Sequence, residues 1–306
     1  MNGREKSMGL SAFIGNVINS SSPIIEYDDK KVKAFISSLG DDIDSFGELG
    51  AYNGDSEAFY VANAFAGKLG LWEQADDEFI FKFLGTVKKL SSAEFCKNPF
   101  ISAVKYKETK CGDLLLTYAT YEKGEIFQYD MPDFDKSIVV PKVGFFDGTV
   151  RFPTIYEGEM PWMSVCPSET STIDPFIGKA FGKVLVLGLG LGYFPFRIAE
   201  CDNVEKIVIV EINQGIIDLF TNNIFPFFPH KEKFEFVHAD ALKYLEEVNN
   251  SDFDYCFADI WEGVTDGLPL YKKIKEQDER LDGIEFDYWI EPQLKAFDKY
   301  GKNENE

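Results

Sequence analysis

Val184-Leu185-Val186-Leu187-Gly188-Leu189-Gly190-Leu191-Gly192-Tyr193 sets an uninterrupted apolar run directly before three alternate glycines. Four consecutive apolar residues leave no polar face, which suits a strand buried on both sides within a parallel sheet. Glycine permits the tight turn that follows and lets a ligand approach the backbone, while the next helix opens with N–H groups that no turn of its own satisfies. The same arrangement also serves plain strand–helix packing, so the turn alone specifies no ligand.

Working downstream, the pattern repeats. Lys183–Leu187, Lys206–Val210, Phe234–His238 and Phe253–Asp259 read as strands. Helices over Gly192–Glu200, Asn213–Asn223 and Ala241–Val248 separate them. Strands alternating with helices predict an α/β domain with a doubly wound, Rossmann-like parallel sheet. Such sheets bind ligands beyond the carboxyl ends of their strands, and acids fall there. Glu211 ends the second strand, nineteen residues after Gly192. A carboxylate at that point suits the two hydroxyls of a ribose. Asp240 ends the third strand, where it can meet an adenine amino group, cap the following helix, or do both. The fourth strand runs into Asp259-Ile260-Trp261-Glu262. Asp259 is the candidate to orient or deprotonate a nucleophile, and Trp261 to form a wall or cation-binding face. Capping and core filling are the competing account of both.

Together these residues resemble the class I S-adenosylmethionine-dependent methyltransferases, and within them the spermidine synthase-like branch. The resemblance runs from about Ser168 to Trp261. It implies that Gly188, Gly190 and Gly192 cradle the amino-acid part of S-adenosylmethionine, that Glu211 with Ile212 holds the ribose, and that Asp240 with Ala241 meets the adenine. It further implies a small antiparallel β domain ahead of the catalytic one. A nicotinamide enzyme fits less well, since Tyr193 stands where G-x-G-x-x-G has its last glycine. Spermidine synthases usually carry G-G-G-D-G at this turn, whereas this chain has Leu191 at the acid's place. That favours the intact cofactor and methyl transfer over aminopropyl transfer, because no added acid repels the cofactor's carboxylate. A protein that keeps the pocket without the chemistry is the third reading.

Upstream, Asp55–Leu69 and Asp76–Leu90 have helical spacing. Leu114–Tyr121 with Glu125–Tyr129, and Ile138–Phe146 with Thr149–Tyr156, predict two antiparallel hairpins, the second around Asp147-Gly148. Ser168 is a candidate cap for a helix reaching Lys179; the resemblance implies that this stretch borders the pocket, with Trp162, Glu169 and Thr170 as substrate contacts, and capping is the plainer account. The expected organisation is a helical segment over 1–100, an antiparallel β domain over 101–160 and an α/β domain over 161–306. Beyond Asp259 the chain reads as helices, Leu268–Arg280 and Phe286–Tyr300, followed by a polar tail, Gly301–Glu306. The sheet is therefore expected to stop at four strands, truncated at its C-terminal end. Its exposed edge is expected to be covered by the hairpins or by a second subunit, as in a homodimer.

Composition bounds the partners. Acidic residues number 52 against 31 basic, a formal charge of −21, so no basic field is on offer to nucleic acid. Five cysteines lack C-x-x-C spacing and only two histidines occur, so no metal site is expected. No apolar run is long enough to span a bilayer, and Met1–Ile18 lacks a clear small-residue cleavage site. The expectation is a cytoplasmic enzyme acting on a small-molecule acceptor, with no membrane partner.

Overall fold

The computed structural model describes residues 3–134 and 136–300, so the tail 301–306 lies outside the described residues. The chain divides into two compact units. One combines the residues up to Cys96 with Thr120–Arg151, and the other combines Lys97–Ala119 with the residues from Phe152 onward. The stretch 101–160 is thus shared between them.

In the first unit, the helices Ser56–Lys68 and Asp77–Thr86 bury Phe65, Phe79 and Phe83. Asp55 and Asp76 cap them by accepting backbone N–H groups of their first turns. The second helix stops at Thr86, and Lys88–Leu90 becomes a strand parallel to Lys142–Phe146. Neither expected hairpin forms. Leu114–Tyr121, most of which belongs to the second unit, pairs with Thr109–Cys111 in a four-stranded sheet that also holds Val150–Glu157 and Met160–Ser164. Phe127–Asp130 instead pairs with Lys142–Phe146 in a three-stranded sheet. Asp147-Gly148 therefore joins two sheets. A turn pair fixes a local chain reversal, whereas the choice of partner strand follows from which apolar faces become buried.

The second unit contains the α/β layer. Its strands are β1 (Gly182–Leu187), β2 (Val204–Glu211), β3 (Phe234–His238), β4 (Tyr255–Ala258) and β5 (Glu285–Tyr288). Tyr193–Ala199 forms α1, Gln214–Asn223 α2, Ala241–Glu247 α3, Val264–Arg280 α4 and Glu291–Tyr300 α5. All five strands are parallel, in the order β3-β2-β1-β4-β5. From β1 the order runs first one way and then the other, and since such crossovers are right-handed as a rule, helices fall on opposite faces of a sheet of this order. Val184–Leu187 and Ile207–Val210 are at most 4% exposed, so these runs are covered on both sides. Each such side chain contributes about 1.5–3 kcal/mol through burial.

The expected four-strand sheet and its bare edge are corrected by β5. Tyr255 to Ala258 pair with Glu285 to Tyr288, so the chain itself covers the outer side of β4. What reads as one helix over Phe286–Tyr300 is a four-residue strand followed by α5. Asp287 secures the strand, accepting the Tyr255 hydroxyl at 2.9 Å and the Lys179 ammonium at 2.9 Å. Among the described residues, no helix is long and apolar enough to cross a membrane.

Candidate functional site

The strand order reverses between β1 and β4, and the crevice at that point is where an open parallel sheet accepts ligands. Gly188 leaves β1 with φ +94°, and a Cβ there would stand 2.0 Å from the Asp259 carbonyl oxygen. Only glycine lets the end of β4 pass this close beneath the turn. Gly192 has φ +76° and is packed against by Phe220, whose ring carbon would lie 2.4 Å from an added Cβ. Gly190 differs. Its φ is +55°, yet an added Cβ would meet nothing nearer than the Met163 sulfur at 3.4 Å. Two of the glycines are thus required by the protein's own packing, and Gly190 is the one open to a ligand.

A cavity of about 770 Å³ lies over these strand ends, a size suited to a small-molecule site. It brings together the predicted residues Gly188, Gly190, Gly192, Glu211, Ile212, Asp240, Ala241, Asp259 and Trp261. Glu211 is 8% exposed, and its two oxygens accept the Leu189 N–H at 3.0 Å and the Asn213 N–H at 2.8 Å. It therefore braces the glycine turn and the start of α2, and its remaining lone pairs are what a ribose can use. Asp240 caps α3 through one oxygen, accepting the N–H groups of Leu242 at 2.9 Å and Lys243 at 3.1 Å. Ile212 is 65% exposed beside it, an apolar surface suited to the edge of a flat ring. His238 has a structural contact, its Nε2 lying 3.0 Å from the Ile212 carbonyl oxygen.

Trp261 lines the cavity but is only 6% exposed, with its ring against Gly267 of α4. Its indole Nε1 is buried without a hydrogen-bond partner. Asp259 lies at the end of β4 with no hydrogen bond to its carboxyl. Burial, followed by the negative charge of Glu169, holds that carboxyl well above the usual carboxylate range.

Glu169 is the residue that sequence reasoning undervalued. It sits in the first turn of the helix Pro167–Ile177, lines the cavity, and is pushed up to about 7 by burial. Ser168 is not the cap of that helix. Cys166 holds the N-cap position without a side-chain bond, and the Ser168 hydroxyl lies 3.1 Å from its sulfur. Thr170 is buried and bonded to the Pro167 carbonyl, whereas Trp162 does line the cavity. Trp289, just beyond β5, joins it on the far side, its Nε1 donating to the Thr172 hydroxyl at 2.9 Å. Only the tertiary fold could place Trp289 here. No cluster of metal-ligating side chains occurs among the described residues.

Six carboxyl groups line the cavity, those of Glu169, Glu211, Asp240, Asp259, Glu262 and Asp266, and no lysine, arginine or histidine is among the lining residues. The lining thus carries acidic groups with no basic side chain among them.

Comparison with known proteins gives a family for this region. Residues 175–276 match the spermine/spermidine synthase domain. Among solved structures, spermidine synthase from Thermotoga maritima is 16% identical, over 50% of this chain and 59% of that one, with a TM-score of 0.35. A spermidine synthase in complex with the transition-state analogue AdoDATO is 15% identical over 60% and 56%, with a TM-score of 0.37. A putative RNA methyltransferase from Pyrococcus horikoshii is 19% identical over 45% and 66%, with a TM-score of 0.30. The chain thus spans less than two thirds of the length of either spermidine synthase. No curated protein matches it. The matched residues contain the glycine turn, Glu211, Asp240 and Asp259, in a parallel sheet of order β3-β2-β1-β4-β5. Residues 175–276 are accordingly similar to the spermine/spermidine synthase domain.

Proposed function

We propose that this domain binds S-adenosylmethionine across its strand ends and transfers the methyl group to a small, amine-bearing molecule. The observation that carries this reading is the cavity itself. It joins an open glycine turn, two strand-tip acids placed for a nucleoside, and an unpartnered acid at the end of β4, with no cationic side chain in its lining. A positively charged sulfonium and an ammonium acceptor both suit that field. When bound, the cofactor supplies a methyl carbon activated by the positive sulfur.

The chain's own residues do the rest. Gly190 leaves room for close approach to the backbone, Glu211 and Asp240 fix the nucleoside, and Asp259 aligns the acceptor nitrogen. Leu191 is 4% exposed and adds no charge to the turn, which keeps the turn tolerant of a carboxylate.

Aminopropyl transfer is the second reading. The family match favours it, and so does the count of six carboxyl groups, because a cofactor that has lost its own carboxylate brings one negative charge fewer into the cavity. Calorimetry with S-adenosylmethionine and with its decarboxylated form decides between the two. Tighter binding of the intact cofactor, with labelled methyl transferred to a member of an amine panel, is the expected result. Preference for the decarboxylated form would replace methyl transfer by aminopropyl transfer. Binding of neither would end both readings.

A further inference from the structure

Met160–Ser164 is the outer strand of the four-stranded sheet and pairs with Val150–Glu157 alone. Ile155 faces Met163 and Tyr156 faces Pro161, so Trp162 is an extra residue, a β-bulge. One step further along, Thr154 faces Ser164, and the Val165 N–H donates to the Pro153 carbonyl at 2.9 Å. Opposed residues in an antiparallel pair alternate between exchanging both backbone hydrogen bonds and exchanging none. The Val165–Pro153 bond, one residue beyond each, makes Ser164 and Thr154 a pair of the second kind. The Ser164 N–H and C=O therefore point away from Val150–Glu157, to the free edge of the strand, and neither has a hydrogen-bond partner among the described residues.

That edge borders the cavity. Pro161, Trp162, Met163, Ser164, Val165 and Cys166 all line it, six residues in succession. One face of a strand would supply only every second residue, so the strand meets the cavity edge-on. Met163 ties the strand to the glycine turn, its sulfur lying 3.4 Å from the place a Cβ on Gly190 would take. With no basic side chain in the lining, a carboxylate at this end of the cavity has backbone N–H groups to meet and no cation. An α-amino acid carries its ammonium and its carboxylate on one carbon. A strand residue in a bonded antiparallel pair likewise presents its donor and its acceptor on either side of one Cα.

We propose that the Ser164 backbone receives the amino-acid end of S-adenosylmethionine as it would a facing strand residue, its C=O accepting from the ammonium and its N–H donating to the carboxylate. This rests on the function proposed above and deepens it, by making Ser164 a specificity-determining residue for the intact cofactor. The decarboxylated form brings an ammonium but no acceptor, and leaves the Ser164 N–H unmet. Both bonds involve an ionised partner, the stronger class of hydrogen bond.

Two measurements on the full chain test this. The first follows backbone amide exchange by NMR in wild type. The Val165 amide, bonded to Pro153, is protected in every state and serves as the internal reference. The Ser164 amide exchanges freely without ligand and slows by at least about tenfold at saturating S-adenosylmethionine, but not with the decarboxylated form. The second compares Ser164→Pro with Ser164→Ala by calorimetry. Both variants lack the hydroxyl, and only proline lacks the N–H, at an edge position where a strand tolerates it. The preference for intact over decarboxylated cofactor falls by at least about tenfold in Ser164→Pro relative to Ser164→Ala. A Ser164 amide left unprotected by the intact cofactor, or protected equally by both forms, overturns the inference, as does an equal preference in the two variants. The wild-type exchange decides alone where the proline variant does not fold. Intact cofactor bound with Ser164 unprotected leaves the proposed function standing, whereas binding of neither form removes both.

Discussion

The Leu189 backbone N–H, in the middle of the glycine turn, donates to the Glu211 carboxylate at 3.0 Å across 22 residues of sequence. The acid expected to hold a ribose therefore also holds the loop that would cradle the cofactor's amino-acid end. Replacing Glu211 by alanine strips an acceptor from Leu189 and from Asn213 together. Leaving buried donors unmet costs about 1–3 kcal/mol. Glu211→Ala is expected to lower stability by that amount in urea unfolding. It should also weaken adenosyl-ligand affinity by about 1.5–3 kcal/mol in calorimetry, the scale of hydrogen bonds to a charged group. A folded variant with unchanged affinity removes Glu211 from the binding site.

The three glycines separate experimentally. Gly192→Ala drives a methyl to 2.4 Å from Phe220 at a φ of +76°. Strain of about 1–2 kcal/mol and overpacking of about 1–3 kcal/mol should act together. Gly190→Ala meets only the Met163 sulfur at 3.4 Å, so it carries the backbone strain alone. Thermal unfolding should show the Gly192 variant markedly less stable than the Gly190 variant, while the Gly190 variant loses ligand affinity. Equal stabilities would show that Phe220 yields freely.

Stability should depend on pH through Glu169. Its carboxyl lies at about 7 in the folded chain, above the 4.5 of an unperturbed glutamate, so the folded state binds more protons between these values. Stability then falls as pH rises from 4.5 to 7. Glu169→Gln removes the loss. It should match wild type near pH 4 and exceed it by about 2 kcal/mol near pH 8, a figure reduced for water reaching the cavity. Urea unfolding at both pH values checks this, and a parallel response of the two proteins would rule it out.

Asp287→Ala leaves the Tyr255 hydroxyl and the Lys179 ammonium without their shared acceptor. Tyr255 is fully buried as a residue, so a loss of about 1–3 kcal/mol is expected. Amide exchange should quicken over Glu285–Tyr288 before it does in β1 or β2. Exchange unchanged in β5 would mean that pairing with β4 alone holds the strand.

Much of the fold was legible because its signals are local. The runs Val184–Leu187 and Ile207–Val210 need both faces covered wherever they lie, and the alternate glycines announce a turn that few other residues can make. Glu211, Asp240 and Asp259 follow directly from being the first acids after apolar strands. The strand β5 was hidden because Glu285-Phe286-Asp287-Tyr288 is short and half charged, as an edge strand can be, while Phe286, Ile290, Leu294 and Phe297 recur at helical spacing. The hairpins failed for a related reason, since a turn sequence does not name the partner of the strand it ends.

By itself, then, the sequence determined the alternation of buried strands and helices, the glycine turn and the acids at the strand tips, because each depends on neighbours within a few residues. Tertiary structure alone decided which strands pair, that β5 closes the sheet, that the Trp261 ring is largely covered, and that Glu169 lines the same cavity as Asp259. Those are long-range facts: Glu169 and Asp259 stand 90 positions apart in sequence and reach one cavity only once the chain between them has folded.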